Sequence, residues 1–170
     1  MRRFVSLIST LPLATAFLVA GPATTATAAC PEVGQVYYSF KDKVTSRILS
    51  NKRSDYLVGP GTINYTSSTS ATANASMTAT VAAEAGVVFA KASASLGVTV
   101  GGSWSKGGSW SYSKPVPKGK TARLVMWHES RSFTVTKKRL VAPCKLVTVY
   151  VSRVKAPRKA NINVWNLQYK

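Results

Sequence analysis

The clearest feature of the sequence is an alternation of polar and apolar residues between Thr62 and Val87. Even-numbered positions carry Ser, Thr or Asn almost throughout, whereas odd-numbered positions are mostly apolar, as at Ile63, Met77 and Val81. Because successive side chains of a β-strand point to opposite faces, a period of two predicts a long amphipathic strand.

The alternation continues from Val88 to Ser105 with the two parities exchanged. Even positions are now apolar or Gly, as at Leu96 and Val98, and odd positions are mostly polar or Gly. The exchange falls near Gly86, where glycine permits a turn. Two amphipathic arms joined by a turn predict a β-hairpin.

A helix is a second interpretation of the middle of this stretch. The region is rich in alanine, which favours helix, whereas the Ser and Thr of the outer arms do not. The apolar residues that also fit one helical face are Val81, Ala85, Val88, Phe89, Ala92 and Leu96. Periodicity therefore leaves both a hairpin and a helix open for residues 80–97.

The C-terminal part of the sequence is typical of β-structure. Segments 121–129, 130–138, 145–153 and 161–169 are rich in Val, Thr and aromatic residues. Together with the arms, they predict a mainly β fold, an elongated antiparallel sheet or stalk that carries an amphipathic hairpin or short helical insertion.

The N-terminal residues 1–29 have the features of a secretory signal peptide. Arg2 and Arg3 precede a largely apolar stretch, and small residues lead up to Cys30. Cleavage near Ala28–Cys30 predicts a secreted, extracellular protein in which residues 30–170 form a single β-rich domain.

Positive charge dominates the remainder of the chain. Without Arg2 and Arg3, 21 basic residues remain against 5 acidic ones, which gives a net charge of +16. A charge of this size favours an anionic membrane, an acidic cell-wall polymer or an acidic protein as partner. We expect no nucleic-acid partner, because no nucleic-acid-binding motif is present and secretion makes that partner unnatural.

The densest groups of basic residues are the candidates for docking on an anionic surface. Near such a surface each Lys or Arg contributes on the order of 1 kcal/mol. A solvated basic face that keeps the protein soluble is the alternative role. The candidates are Lys137, Lys138, Arg139, Arg153, Lys155, Arg158 and Lys159.

Cys30 and Cys144 are the only cysteines in the sequence. In an exported protein a pair of cysteines predicts a disulfide. Free thiols and a lipidated Cys30 remain as alternatives.

The residue types give little support to an enzyme, and we expect no catalytic site, cofactor or metal. His128 is the only histidine, which excludes a metal site built from several histidines. His128 and Glu129 are neighbours, so on a strand they point to opposite faces. The sequence also contains no nucleophile elbow, phosphate loop or dinucleotide fingerprint.

The alternating arms and the segments next to them resemble the aerolysin/epsilon-toxin class of β-pore-forming proteins, as in small secreted actinobacterial proteins. The resemblance lies in the Ser/Thr-rich arm 62–81, the segment 82–100, the returning GGSWSKGGSWSYS at 101–113 and the segment 116–124; it covers roughly residues 35–140. It implies an elongated stalk whose amphipathic segment converts to a hairpin in an oligomeric pore. A separate large receptor-binding domain, which that class carries, is missing.

For this chain the resemblance implies an insertion segment at 81–100 and a homo-oligomeric β-barrel pore on an anionic surface. The alternative is a secreted, non-enzymatic binding protein for a cell-wall polymer, a glycan or an acidic protein. The candidate insertion residues are Val81, Val88, Phe89, Leu96, Val98 and Val100.

Trp104 and Trp110 belong to the doubled GGSWS unit and are candidate aromatic contacts. Both positions are even, so on an extended strand the two indoles lie on one face. That face either packs on the core of the sheet or meets a membrane interface, where Trp is favoured.

Overall fold

The computed structural model describes residues 30–170, so the predicted signal peptide at 1–29 lies outside the described residues. This part of the chain is mainly β, which confirms the predicted fold class. Its strands are β1 (Val36–Arg53), β2 (Leu57–Val58), β3 (Gly61–Ser67), β4 (Ala71–Asn74), β5 (Ser103–Lys106), β6 (Trp110–Val116), β7 (Thr121–Val141), β8 (Lys145–Pro157) and β9 (Asn163–Tyr169), and its helices are α1 (Ala79–Ala82) and α2 (Ala85–Leu96).

β7 is the central strand of the main sheet and, with 21 residues, extends over about 70 Å at the usual rise per residue. Two predicted segments, 121–129 and 130–138, are joined in it because no Gly or Pro interrupts the chain between them. All its neighbours are antiparallel: β1 and β2 lie on one side, whereas β8 and β9 share the other.

The predicted amphipathic arms form a separate two-stranded ribbon. β3 pairs with β6 and β4 with β5, both antiparallel. We refer to these four strands as the paired arms, and to residues 75–102 between them as the docked segment. The hairpin prediction is confirmed for the paired arms, whereas most of residues 80–97 lie in the helices α1 and α2.

The paired arms and the docked segment pack on opposite faces of β7. The arms cover Leu124 and Met126, whereas the docked segment covers Phe133 and Val135. Even and odd residues of a continuous strand point to opposite faces, so the chain passes from one face of the sheet to the other between the arms and the segment.

Cys30 and Cys144 form the predicted disulfide, with their Cα atoms 5.5 Å apart. The bond joins the start of the described chain to the turn between β7 and β8. The alternatives of free thiols and a lipidated Cys30 are thereby excluded in this structure.

Candidate functional site

The docked segment is held in helices by its composition and by one glycine. Alanine is frequent in α2, and alanine has the highest helix propensity. α2 ends at Gly97, whose φ of 67° is the left-handed conformation that closes many helices. The helix buries Val88, Phe89 and Ala92 against the sheet and leaves Lys91 exposed.

All six candidate insertion residues belong to one hydrophobic cluster. Val81, Val88, Phe89 and Val100 are buried in it, and Leu96 and Val98 pack against it. The main sheet completes the cluster with Phe133, Val135, Val154 and Ala156. The side chains predicted to enter a membrane are therefore covered by protein in this state.

The docked segment is attached to the sheet at its two ends by backbone hydrogen bonds. Ser76 and Lys155 exchange two of them, at 2.8 and 2.9 Å. Close to the other end, Lys159 N donates to Thr99 O at 2.9 Å and Gly101 N donates to Pro157 O at 3.1 Å. Because these bonds lie at the ends, side-chain packing holds the middle of the segment.

Glu84, between the two helices, provides the strongest polar attachment of the docked segment. Lys137 Nζ donates a hydrogen bond to Glu84 Oε1 and forms an ion pair with it. The hydroxyls of Tyr38 and Tyr150 donate to Glu84 Oε2 at 2.8 and 3.2 Å. Lys91, on α2, is a second cation next to this group: its Nζ lies 5.6 Å from the ring centroid of Tyr38.

These contacts shift the titration of the whole group. Hydrogen bonds from Lys137 and Tyr38 hold the pKa of the Glu84 carboxyl below its ordinary value. The hydrogen bond to Glu84 raises the pKa of Lys137. Burial, followed by the charge of Glu84, raises the pKa of Tyr150 to about 12, and burial also raises the pKa of Tyr38. The charged form of Glu84 is thus the form that attaches the segment.

Trp104 and Trp110 both face the core of the sheet, as one of the two sequence interpretations expects. Trp104 is buried and stacks on His128 with ring centroids 4.0 Å apart, and its Nε1 donates to Asn161 Oδ1 at 3.2 Å. Trp110 is half-buried against the cluster that contains Met126. Trp104 is therefore not available as a surface contact in this structure.

The candidate docking residues lie in different environments. Lys138 and Arg139 are exposed on β7, whereas Lys137 is buried in the ion pair with Glu84, which corrects its prediction as a surface-docking residue. Burial of a lysine normally requires a charged partner, and Glu84 supplies it.

The remaining candidates lie on β8 and just after it. Arg158 forms an ion pair with Glu129 at 3.1 Å, and Lys159 Nζ donates to Ser103 O at 2.6 Å. Arg153 is exposed and Lys155 is half-buried, and both line a groove on the sheet with three serines.

Sequence reasoning missed the cluster around Glu84. Its four members come from β1, β7, β8 and the docked segment, so no local spacing connects them. One signal was present: Glu84 is the only acidic residue between Thr62 and Ser113. A lone carboxylate in a long uncharged amphipathic stretch suggests a partner elsewhere in the chain.

Within residues 30–170 neither helix has the length and apolar character needed to cross a membrane, and no group of three or more His, Cys, Asp or Glu residues is placed to hold a metal ion. Comparison with protein-family models, with curated proteins and with solved structures found no match.

Proposed function

We propose that the protein is a secreted cationic pore-forming protein. Its basic residues dock it on an anionic membrane, the docked segment leaves the sheet, and the released residues extend the paired arms into a long amphipathic hairpin. Several copies then close a β-barrel pore. The observation that carries the proposal is the pairing register of the arms.

The register of the paired arms is constant along their whole length. Gly61 pairs with Val116 at the outer end, and Asn74 pairs with Ser103 at the inner end. The residue numbers of every pair in both ribbons sum to 177, so the irregular residues between β3 and β4 introduce no net shift. The arms are therefore two parts of a single hairpin that the docked segment interrupts.

Continued inward, the same register puts the apolar positions of the docked segment on one face, with Ala82 as the exception. An odd-numbered residue always faces an even-numbered one when the pair sums to 177, which accounts for the exchange of parity in the sequence. The first inward pair is already in contact, since Ala75 N donates to Gly102 O at 2.7 Å. The turn would fall at Val88 and Phe89, which makes the tip of the hairpin apolar.

The extended hairpin has the dimensions and the charge distribution of a membrane-spanning one. Residues 75–87 and 90–102 give thirteen positions per arm, more than the about 9–11 residues that cross a bilayer. Its only charged residues are Glu84 and Lys91, and both fall on the polar face, which would line the aqueous lumen.

The cost of leaving the sheet is recovered in the membrane. Exposing a buried Val or Phe side chain to water costs about 1.5–3 kcal/mol, and the bilayer covers the same side chains with lipid. A single hairpin would leave unpaired backbone groups in the hydrocarbon, so several copies are required. The disulfide fits an extracellular location, which the predicted signal peptide also implies.

Dye release from vesicles tests the proposal. We expect release from vesicles of phosphatidylglycerol and phosphatidylcholine in equal amounts, accompanied by oligomers, and none from phosphatidylcholine alone. Release from neither composition at any protein concentration would contradict the proposal.

A reversible covalent link tests whether the docked segment must leave the sheet. Thr78 Oγ1 and Ser152 Oγ are 3.2 Å apart, so Thr78→Cys/Ser152→Cys places two thiols in bonding range across the contact with β8. We expect the oxidised variant to release no dye and the reduced variant to recover. Thr78→Cys alone and the wild type with the same reductant are the controls, because the reductant also reaches the native disulfide.

A further inference from the structure

A shallow groove crosses the face of the main sheet opposite to the helices of the docked segment. Its volume is about 480 Å³, and it is lined by Val44, Ser46, Ser76, Ser132, Arg153 and Lys155. The pairing places Val44, Ser132 and Lys155 in one row across β1, β7 and β8, and Arg153 lies on the next row of the same face. Ser132 and Phe133 are adjacent residues of β7, so their side chains point to opposite faces of the sheet. Phe133 contacts the docked segment, and Ser132 therefore lies on the other face.

Neither of the two basic side chains of this groove is paired with a carboxylate among the described residues. Arg153 Nε donates to Ser132 Oγ at 3.3 Å. Neither Arg153 nor Lys155 belongs to the three ion pairs of residues 30–170. The carboxylate of Asp42, on the far side of β7 from Arg153, accepts a hydrogen bond from Thr134 at 2.8 Å. The groove therefore combines two cations and three hydroxyls with no bound counter-charge.

We propose that this groove binds the phosphate group of an anionic membrane lipid. A guanidinium presents a planar set of donors that matches phosphate oxygens, an ammonium adds a second charge, and the serine hydroxyls donate further hydrogen bonds. The groove is open along the sheet surface, so it holds a head group whose remainder stays outside.

Two observations select a membrane lipid as the source of the phosphate, and this choice rests on the proposed function. Val44 and Val151 are 49% and 61% exposed on the same face, so apolar side chains flank the polar groove as at a membrane interface. Ser76, at the rim of the groove, is also the residue through which the docked segment joins β8. A lipid bound here brings the root of the docked segment to the bilayer surface.

Vesicle sedimentation of charge-matched variants tests the groove. The site variant is Arg153→Gln/Lys155→Gln, and the control is Lys138→Gln/Arg139→Gln, which removes the same charge from two exposed residues on β7. With the mixed phosphatidylglycerol vesicles, we expect the affinity of the site variant to fall roughly tenfold or more below that of the control. The reason is that each hydrogen bond to a charged group changes an affinity by about this factor. Equal losses in the two variants would overturn the proposal.

Soluble probes distinguish a lipid from free phosphate. We expect glycerol phosphate to displace the wild type from vesicles more effectively than inorganic phosphate at equal ionic strength. Displacement by inorganic phosphate at least as effective as by glycerol phosphate would overturn the lipid assignment.

Sedimentation tests the groove and dye release tests the pore, so either proposal can be contradicted without the other. A wild type that sediments through Arg153 and Lys155 but releases no dye would retain the groove and contradict the pore. A site variant that sediments like the wild type while both release dye would retain the pore and contradict the groove. If the double variant folds poorly, Arg153→Gln alone, at an exposed position, replaces it. We expect this single variant to lose less affinity for the vesicles than the double variant, but still more than a matched single control.

Discussion

The paired arms and the docked segment carry the same alternation of residues but have different structures. In the arms the alternation is used directly: Ile63 and Trp104 turn one face of the ribbon to the main sheet. In the docked segment the same alternation is folded into two helices, and two of the residues that reach the sheet, Val88 and Phe89, are neighbours in sequence. Identical patterning has therefore produced two secondary structures.

The difference shows how composition acts where periodicity is equal. The arms hold Thr, Tyr, Trp and Ile, which favour strands, whereas alanine, which favours helix, is the most frequent residue of α2. The helices satisfy the backbone of the docked segment without neighbours, but they leave its period of two unused. The extended hairpin is a structure that does use it, and for this reason we regard the docked form as the stored one.

Loss of the disulfide should give the largest change in the free energy of unfolding, and it should affect the paired arms and the docked segment alike. Cys30→Ser/Cys144→Ser should lower the free energy of unfolding by about 4–5 kcal/mol, because the bond closes a loop of more than a hundred residues in the unfolded chain. Denaturant unfolding measures the loss. Since the effect acts on the unfolded chain, protection from hydrogen exchange should fall in both regions; a loss confined to one region would contradict this.

Matched core substitutions separate the two regions. Phe89 in the docked segment and Ile63 in the arms are both 7% exposed. Phe89→Ala should destabilise the cluster around Phe89 by about 3–5 kcal/mol, and Ile63→Ala should destabilise the cluster around Ile63 by about 2–5 kcal/mol. Hydrogen exchange should rise in α2 for the first variant and in β3 and β6 for the second. Uniform increases in both variants would show that the segment does not undock separately from the arms.

Acid should loosen the docked segment more than the arms. The folded-state pKa of Glu84 is lowered from 4.5, so its contribution is complete above that value and is lost as the pH falls through the folded-state pKa. At the alkaline end, Lys137 and the two tyrosines have raised pKa values, so their contribution is complete below their ordinary values near 10 and is lost above them. Hydrogen exchange in α1 and α2, corrected for the intrinsic pH dependence, measures both limits.

Glu84→Gln should have the smallest effect of these variants, and it tests whether Glu84 is the group responsible for the loosening in acid. The amide keeps a similar shape and still accepts from Tyr38 and Tyr150, but it loses the ion pair with Lys137. We expect weaker protection of α2 near neutral pH and no further loss as the pH falls below 4.5. An acid transition equal to that of the wild type would assign the effect to another group.

The sequence predicted the elements whose determinants are local. The alternation located the paired arms, the cysteine pair predicted the disulfide, and the six candidate insertion residues are found in one hydrophobic cluster. The choice between helix and hairpin at 80–97 stayed open because alanine content and periodicity oppose each other there.

The sequence did not predict contacts that depend on the pairing of distant strands. Lys137 is one of three consecutive basic residues, and only its position opposite Glu84 makes it the buried one. In the same way, the groove around Arg153 exists because the register of β1, β7 and β8 brings Val44, Ser132 and Lys155 into one row. Register across a sheet is set by the whole strand, so it is not visible in any short segment.

A cross-link that only the extended hairpin permits tests the central claim most directly. Ala82 and Ser95 would lie directly opposite each other in the hairpin, because their residue numbers have the same sum as those of the paired arms. In the docked form Ala82 belongs to α1, whereas Ser95 lies near the far end of α2, about 15 Å along the helix from its first residue, Ala85. Ala82→Cys/Ser95→Cys should therefore form an intramolecular disulfide on phosphatidylglycerol vesicles and not in solution. The control Ala82→Cys/Ala94→Cys is shifted by one position, and it should stay reduced in both conditions. A disulfide that forms equally in solution, or equally in the control on vesicles, would contradict the conversion of the docked segment into an extension of the paired arms.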